Sequence, residues 1–348
     1  MFFASDNAGP AHPRVMQAIH DANDGVAPSY GAEAAMTAVT DRIRTLFEAP
    51  RAAVHLVATG TAANALALAT LTNPWAAVFC TPLAHIHTDE CNAPEFFTGG
   101  AKLCLAGDGD IMTPDALQAG IGGWVAGDVH MPQPGALALT QLTERGRAYG
   151  VDEIAALTRV ARDHGLPVYM DGARLANAMA ALGCSPADMT WRAGVDALSL
   201  GGTKNGCLGV EAVVFFNPEH AWEFELRRKR AAHLFSKHRY LSAQMLAYLD
   251  GDLWLDMART ANARAARLEA GLRGVPGAEM AWPRHANMLF VRLPRATHRR
   301  LHAGGAVYGL YDGPLDQGPD TAPLLARLVC DWSIEESQID AFLNLARG

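Results

Sequence analysis

The chain lacks any apolar run approaching the roughly 18 residues that a membrane-spanning helix requires. Its opening residues, Met1 to Asn7, carry neither the basic stretch nor the apolar stretch of a secretory leader. Spanning and secretion are therefore not expected, and the cytoplasm is the expected compartment. Its six cysteines, Cys80, Cys91, Cys104, Cys184, Cys207 and Cys330, form no C-x-x-C pair and no zinc-like cluster. They read as reduced thiols in a reducing compartment. Positive charge is in deficit: the formal net charge of −7 argues against a general nucleic-acid surface. The one basic run, Arg227-Arg228-Lys229-Arg230, reads as the solvated face of a helix. Internal repeats and low-complexity tracts are also missing.

What is present is an ordinary globular composition, 50% apolar and 19% charged over 348 residues, enough for a large core and for two domains. Short apolar runs alternate with helical stripes through the first two-thirds. Val54 to Ala58, Ala76 to Cys80, Lys102 to Leu105, Ala136 to Gln141, Val168 to Met170, Ala197 to Leu200 and Ala212 to Phe216 read as strands. Thr61 to Leu71 and Val151 to His164 read as helices, the second with Asp152 and Glu153 at the dipole-favoured end. Such alternation predicts an α/β fold with a mostly parallel sheet covered by helices. From His220 to Arg273 glycine and proline nearly vanish, which predicts long helices broken near Asp250-Gly251-Asp252. Short strands at 280–282, 287–293 and 325–330 and a last helix, Ile334 to Ala346 capped by Ser333, complete a smaller α+β unit. Residues 304–323 read as an irregular loop. The expected division is a large domain over 1–250, with an N-terminal arm at 1–30, and a small domain over 251–348.

The segment Gly201-Gly202-Thr203-Lys204-Asn205-Gly206 carries one lysine, bracketed by glycines, directly after a buried-strand pattern. In Met170-Asp171-Gly172-Ala173-Arg174 an aspartate sits where another strand ends. Open α/β sheets bind ligands beyond the carboxyl ends of their strands, so both side chains would face one crevice. A lysine that forms a Schiff base and a carboxylate that keeps a pyridine nitrogen protonated are what pyridoxal phosphate chemistry requires. Ala58-Thr59-Gly60-Thr61-Ala62-Ala63-Asn64 joins a strand to a helix through small residues. A helix start of that kind presents free N–H groups to a phosphate. Ala84-His85-Ile86-His87-Thr88-Asp89-Glu90 admits three readings. His85, His87 and Asp89 can hold a metal; His85 can stack on a cofactor ring with Asp89 one turn later facing the same pocket; or the stretch is a polar helix start.

Taken in order, Ser5-Asp6-Asn7, Tyr30-Gly31, Gly60-Thr61-Ala62-Ala63-Asn64, Ala84-His85 and the Asp171 and Lys204 motifs resemble the low-specificity L-threonine aldolases. These are pyridoxal phosphate enzymes of the aspartate aminotransferase fold (fold type I), and the resemblance spans nearly the whole chain. It implies that Lys204 is the Schiff-base lysine, that Asp171 pairs with the ring nitrogen, that Gly60 and Thr61 hold the phosphate, and that His85 stacks on the ring. It implies that Ser5, Arg174 and a C-terminal arginine receive the amino acid carboxylate, with Tyr30 and Asp89 near the substrate. Arg327 is the expected arginine and Arg292 its competitor. His130 matches a second histidine near the substrate hydroxyl, and Arg239 an arginine reaching a neighbouring subunit's phosphate. The family often has an acid directly after Tyr-Gly; here Ala32 intervenes before Glu33.

The reaction implied is retro-aldol cleavage of L-threonine, L-allo-threonine and related β-hydroxy-α-amino acids to glycine and an aldehyde. Arg174 and Arg327 would clamp the carboxylate, a task suited to guanidinium, and His85 or His130 would handle protons. The resemblance also implies a homodimer or homotetramer with active sites between subunits. Alternatives are a phenylserine aldolase or β-eliminating lyase on the same scaffold, a metallohydrolase using His85, His87 and Asp89, and a noncatalytic binding protein of the same fold.

Overall fold

The computed structural model describes residues Met1–Gly348. Its strands are β1 (Ala53–Val57), β2 (Ala76–Cys80), β3 (Lys102–Leu105), β4 (Gln133–Thr140), β5 (Val168–Gly172), β6 (Ala197–Gly201), β7 (Glu211–Phe215), β8 (Glu279–Met280), β9 (Met288–Pro294), β10 (Gly309–Leu310) and β11 (Pro323–Val329). The first seven form one sheet in the order β1-β7-β6-β5-β4-β2-β3. All pair in parallel except β7, which is antiparallel to both β6 and β1. Strands β1, β2, β5, β6 and β7 are buried at every position. That is the signature of a sheet covered on both faces, and it is why these segments read as unbroken apolar runs.

The two faces have separate cores. Val54, Leu56, Val168, Met170, Leu198, Leu200, Ala212 and Val214 pack with the helices Ala34–Leu46, Val151–Asp163 and Leu175–Leu182. Ala53, Val57, Tyr169, Ala197, Val213 and Phe215 face the helix Gly60–Leu71. This helix is buried from Ala62 through Thr70, and its alanines let it lie close to the strands. The period-2 alternation therefore points Asp171 and Glu211 toward the same helix as Tyr169 and Val213.

Strands β8 to β11 form a second, wholly antiparallel sheet in the order β10-β11-β9-β8. Leu289, Val291, Leu293, Ala326 and Leu328 pack with helix residues Leu268, Leu272, Leu301, Phe342 and Leu343. The polypeptide start belongs to this core: Phe3 is fully buried in it, donates to Val307 O at 2.8 Å and accepts from Val329 N at 2.9 Å. The expected boundary near residue 251 falls at the start of the helix Leu253–Leu272, which serves both units. Leu253, Trp254, Met257 and Ala258 sit in the large core, while Ala265, Leu268 and Leu272 sit in the small one.

Three local expectations need correction. The last helix is Glu336–Arg347, capped by Glu335 whose N–H donates to Gln338 Oε1, while Ser333 instead bonds Asp331. A helix, Arg295–Ala303, follows β9 where none was expected; its run of arginine and histidine hides the apolar stripe. In the basic run, Arg228 is buried rather than solvated, its Nη2 donating to both carboxylate oxygens of Glu225 and its Nη1 to Leu56 O at 3.0 Å.

Because one helix is shared, Leu268→Ala should destabilise the whole chain by about 2–5 kcal/mol. Denaturant titrations followed by tryptophan fluorescence and by far-ultraviolet circular dichroism should shift together. A separate early transition confined to one signal would show the two cores to be independent.

Candidate active site

The carboxyl ends of β1, β5 and β6 and the start of β7 lie along one edge, because Val57 and Gly201 are both paired with Glu211 and Gly172 with Leu200. That edge brings the motifs together. A cavity of about 270 Å³ is lined by Asn7, Ala58, Thr59, Gly60, Thr61, Asn64, His85, Glu90, Asp171, Ala173, Thr203, Lys204 and Glu211. Lys204 comes from a single turn after β6, Thr203–Asn205, closed by Gly206 at φ +98. The positive φ favours glycine, and a Cβ there would also press on Met257 Sδ at 2.5 Å. Burial, and then the nearby Arg174 guanidinium, hold the Lys204 ammonium below its ordinary pKa. A larger share of the amine is thereby neutral and nucleophilic.

Asp171 accepts from Asn64 Nδ2 at 3.0 Å and from the Ala173 N–H at 2.9 Å. Asn64 also donates to Glu90 Oε1 at 2.6 Å and accepts from the Tyr169 hydroxyl at 2.6 Å. Glu90 Oε1 in turn meets His85 Nδ1 at 2.8 Å. The bond to Glu90 raises the His85 pKa against the opposing effect of burial. It leaves Nε2 as the free ring nitrogen. The His85 N–H donates to Glu144 Oε1 at 2.9 Å, and burial pushes the Glu144 carboxyl up to about 7.

Arg174 is held from the N-terminal segment. Its Nε and Nη2 donate to Asp6 at 2.7 and 2.9 Å; Asp6 is buried and Arg174 partly so. Burial opposes ionisation of Asp6, yet Arg174 keeps its pKa below the usual carboxylate range. Two residues earlier, Ala4 O accepts from Arg327 Nη2 at 3.2 Å. Arg327 has no acidic partner, and its Nε is buried without any partner. Arg292, by contrast, is neutralised by Asp312. Ser5, between the two anchor points, accepts from the Asn7 N–H.

Ser5, Arg174 and Arg327 are not among the residues that line the cavity, and neither are the other predicted ones. His130 is exposed, its N–H bonded to Asp128. Arg239 donates to the carbonyls of Asp24 and Gly25. Tyr30 is exposed beneath Lys229 at 4.6 Å. His87 and Asp89 are exposed, and no group of three or more His, Cys, Asp or Glu side chains is placed to hold a metal. Sequence reasoning missed Asp6, Glu90 and Glu211 as members of the site. Only Glu211 left a signal, a charge heading the apolar run Glu211-Ala212-Val213-Val214-Phe215.

The donor set fits pyridoxal phosphate. Thr59 caps the helix by accepting from the N–H groups of Ala62 and Ala63, leaving those of Gly60 and Thr61 at the cavity. A Cβ on Gly60 would meet nothing within 4 Å, so the cradle is open. A phosphate suits that helix start, and Asp171 and Lys204 lie on the same cavity for the ring nitrogen and the aldehyde.

Asp6→Ala leaves a largely buried guanidinium unpaired, and stability should fall by up to about 3 kcal/mol in urea titrations. The Asp6 pKa is lower folded than unfolded, so its contribution is present above the ordinary carboxylate pKa and lost as pH falls through the lowered value. The variant should therefore lose the corresponding part of the acid limb of the stability profile.

Comparison with known proteins places this geometry in a family. The profile of the beta-eliminating lyase family matches residues 3–294. The low specificity L-threonine aldolase of Pseudomonas aeruginosa is 40% identical over 350 residues, covering 99% of this chain and 96% of that protein. That of Pseudomonas sp. (strain NCIMB 10558) is 38% identical over 341 residues, 97% and 94% of the two chains. The solved threonine aldolase of Leishmania major superposes with a TM-score of 0.91 at 26% identity, covering 99% and 98%. The chain thus belongs to the beta-eliminating lyase family, and within it to the low-specificity L-threonine aldolases.

Proposed function

We propose that the chain is a pyridoxal phosphate-dependent aldehyde-lyase that cleaves L-threonine, L-allo-threonine and related β-hydroxy-α-amino acids to glycine and an aldehyde. The observation that carries this reading is the single cavity joining Lys204, Asp171, His85 and the open helix start at Gly60 and Thr61. Bound there, the cofactor supplies a cationic ring that withdraws the electron pair of the breaking Cα–Cβ bond. Gly60 and Thr61 would hold its phosphate, Lys204 its aldehyde carbon, and Asp171 its ring nitrogen, with the His85 imidazole against the ring.

Arg327 brings an unpaired half-buried guanidinium, suited to the substrate carboxylate. Arg174 and Ser5 are placed by the same N-terminal segment and would complete that grip. Since Asp6 already takes Nε and Nη2 of Arg174, Nη1 is the edge left for the substrate. Holding the carboxylate sets which bond at Cα is aligned for cleavage. His85 Nε2 is suited to take the β-hydroxyl proton when the ring is neutral. That proton transfer lets the aldehyde leave, and a proton returned to Cα completes glycine. His130, Arg239, Tyr30 and Asp89 lie outside the single-chain cavity. They would act where a second subunit or bound substrate extends the site, in a homodimer or homotetramer with shared active sites. Free thiols at all six cysteines suit a cytoplasmic location. The large unit would take residues 1–250 and the small unit 251–348, with the shared helix rooted in both.

Incubation with L-threonine, L-allo-threonine and L-phenylserine, with aldehyde and glycine measured directly, tests the reading. Equal yields of the two products are expected. Lys204→Ala should abolish both turnover and the visible cofactor band, whereas release of ammonia and a keto acid in place of glycine would identify a β-eliminating lyase instead.

Glu90→Gln gives the pH test. Glu90 raises the His85 pKa, so a rate requiring the neutral ring rises with pH through that elevated value. Removing the carboxylate should move this limb of the kcat profile to lower pH. An unmoved limb would take the proton-accepting role away from His85.

A further inference from the structure

Glu211 is the one carboxyl on the cavity that none of the roles above uses. It heads β7 and is paired in register with Val57, the last residue of β1, two residues before the Thr59 cap. Paired residues on antiparallel strands project to the same face. Val57 packs against Ala62, Ala63 and Leu66, so that face lies under the start of the helix Gly60–Leu71. The Glu211 carboxyl is accordingly aimed at the underside of the helix start proposed to hold the phosphate, and it lines the same cavity as Gly60 and Thr61. It is 5% exposed. Its Oε2 accepts from the Gly202 N–H at 3.2 Å.

The ionisable groups around it are few. Lys204 approaches from the turn after β6, Asp171 and Tyr169 from β5, Cys207 from the loop before β7, and Tyr248 from the helix Arg239–Leu249. Among these Lys204 is the only cation, and it is the residue that would carry the cofactor; the His85 imidazole, paired with Glu90, lines the same cavity. No arginine or second lysine neutralises Glu211. A phosphate dianion set on the helix above adds two negative charges beside a buried carboxylate. Two like charges in a shared site of low dielectric do not both remain ionised.

Resting on the aldolase reading of this cavity, the geometry points to Glu211 as a proton-linked phosphate-site residue: it takes up one proton from solvent as the cofactor phosphate binds. The protonated carboxyl removes the repulsion and offers an O–H as a donor toward the phosphate. The balance is simple: one proton leaves the buffer, one carboxylate becomes one carboxylic acid, and no bond other than that O–H is made or broken. Burial already pushes Glu211 up to about 7 before any ligand is present, so the carboxyl is poised to change state near neutrality. Below that value it is already protonated and no uptake is expected. Above it the uptake approaches one proton, and cofactor affinity weakens as pH rises.

The test is calorimetric titration of the apoprotein with pyridoxal phosphate at pH values from about 6 to 9. Paired buffers of different ionisation heat give the number of protons taken up. Wild type, Glu211→Gln and a second ligand, pyridoxal, which lacks the phosphate, are compared. Glutamine has the same shape and cannot ionise. With pyridoxal phosphate at the alkaline end, wild type should take up about one proton more than Glu211→Gln. Its Kd should climb relative to the variant by up to about tenfold per pH unit. With pyridoxal the two proteins should take up the same number of protons. Equal proton counts with pyridoxal phosphate, or the same difference with both ligands, overturns the role of Glu211 while leaving the aldolase reading intact. Failure of wild type to bind pyridoxal phosphate at all overturns both. Should Glu211→Gln not fold, infrared difference spectra of wild type carry the test. A carboxylic-acid C=O band gained on loading at alkaline pH supports the inference, and its absence overturns it.

Discussion

The side-chain amide of Asn64 is the constraint on which the site depends. Its nitrogen donates to Glu90 and to Asp171, and its oxygen accepts from Tyr169. All of these groups are buried, so an unmet bond would cost about 1–3 kcal/mol or more where a charge is involved. The network admits one orientation of the amide, with nitrogen toward the two carboxylates. Through it, the helix Gly60–Leu71 is locked to β5 and to the short His85–Thr88 turn. A shift of that helix along the sheet would break bonds to Asp171, Glu90 and Tyr169 together. The helix start at Gly60 and Thr61, the Asp171 carboxylate and the His85 ring thus share one register.

A second tie reaches across the two sheets. Residues Ala4 to Asp6 run between the small sheet, where Phe3 is anchored, and the large one, where Arg174 ends up. Arg327 belongs to β11 and Arg174 follows β5, so no single element could space them. The N-terminal segment does so by giving Arg327 a backbone carbonyl and Arg174 a full carboxylate. The difference matters chemically. Arg174 is largely satisfied before any substrate arrives, whereas Arg327 keeps its charge unmatched. The Asn287 side chain, donating to Asp6 and to Cys330 O, fastens the same segment from the third side.

Much of the architecture was legible because periodicity reports burial. Five strands buried on both faces wrote themselves as apolar runs, and the glycine-flanked Lys204 and the strand-ending Asp171 stood out against them. Gly60, Thr61, Asp171 and Lys204, which meet the cavity, were legible for the same reason: each sits at or within a few positions of a strand end. What did not show was everything set by long-range partnership. Nothing local distinguishes Asp6 from a turn aspartate until Arg174 is beside it, 168 positions away in sequence. Glu90 reads as one more polar residue of the stretch that starts at Ala84 until its bond to His85 is visible. The single antiparallel strand β7 was equally hidden, since Ala212 to Phe216 is as apolar as its parallel neighbours. Its reversal is what puts Glu211 at the catalytic edge rather than at the opposite one.

The acids of the site outnumber its bases, and the structure resolves the imbalance residue by residue. Asp6, Glu90, Glu144, Asp171 and Glu211 lie in the cavity or close to its lining, against the cations His85, Arg174, Lys204 and, through Ala4, Arg327. Ionising all five in a buried space would be prohibitive, because desolvation penalises each charge and their mutual repulsion adds to it. Asp6 is met by a bidentate guanidinium, the strongest pairing a side chain offers. Asp171 is met by two N–H donors without a cation, which leaves it open to a cationic ring. Glu90 shares one oxygen between an amide and an imidazole, so its charge is spent on orienting both. Glu144 and Glu211 receive no such cation, and burial lifts each to about 7. The charge in and around this cavity is therefore variable near neutral pH, at these two carboxyls as well as at the His85 imidazole.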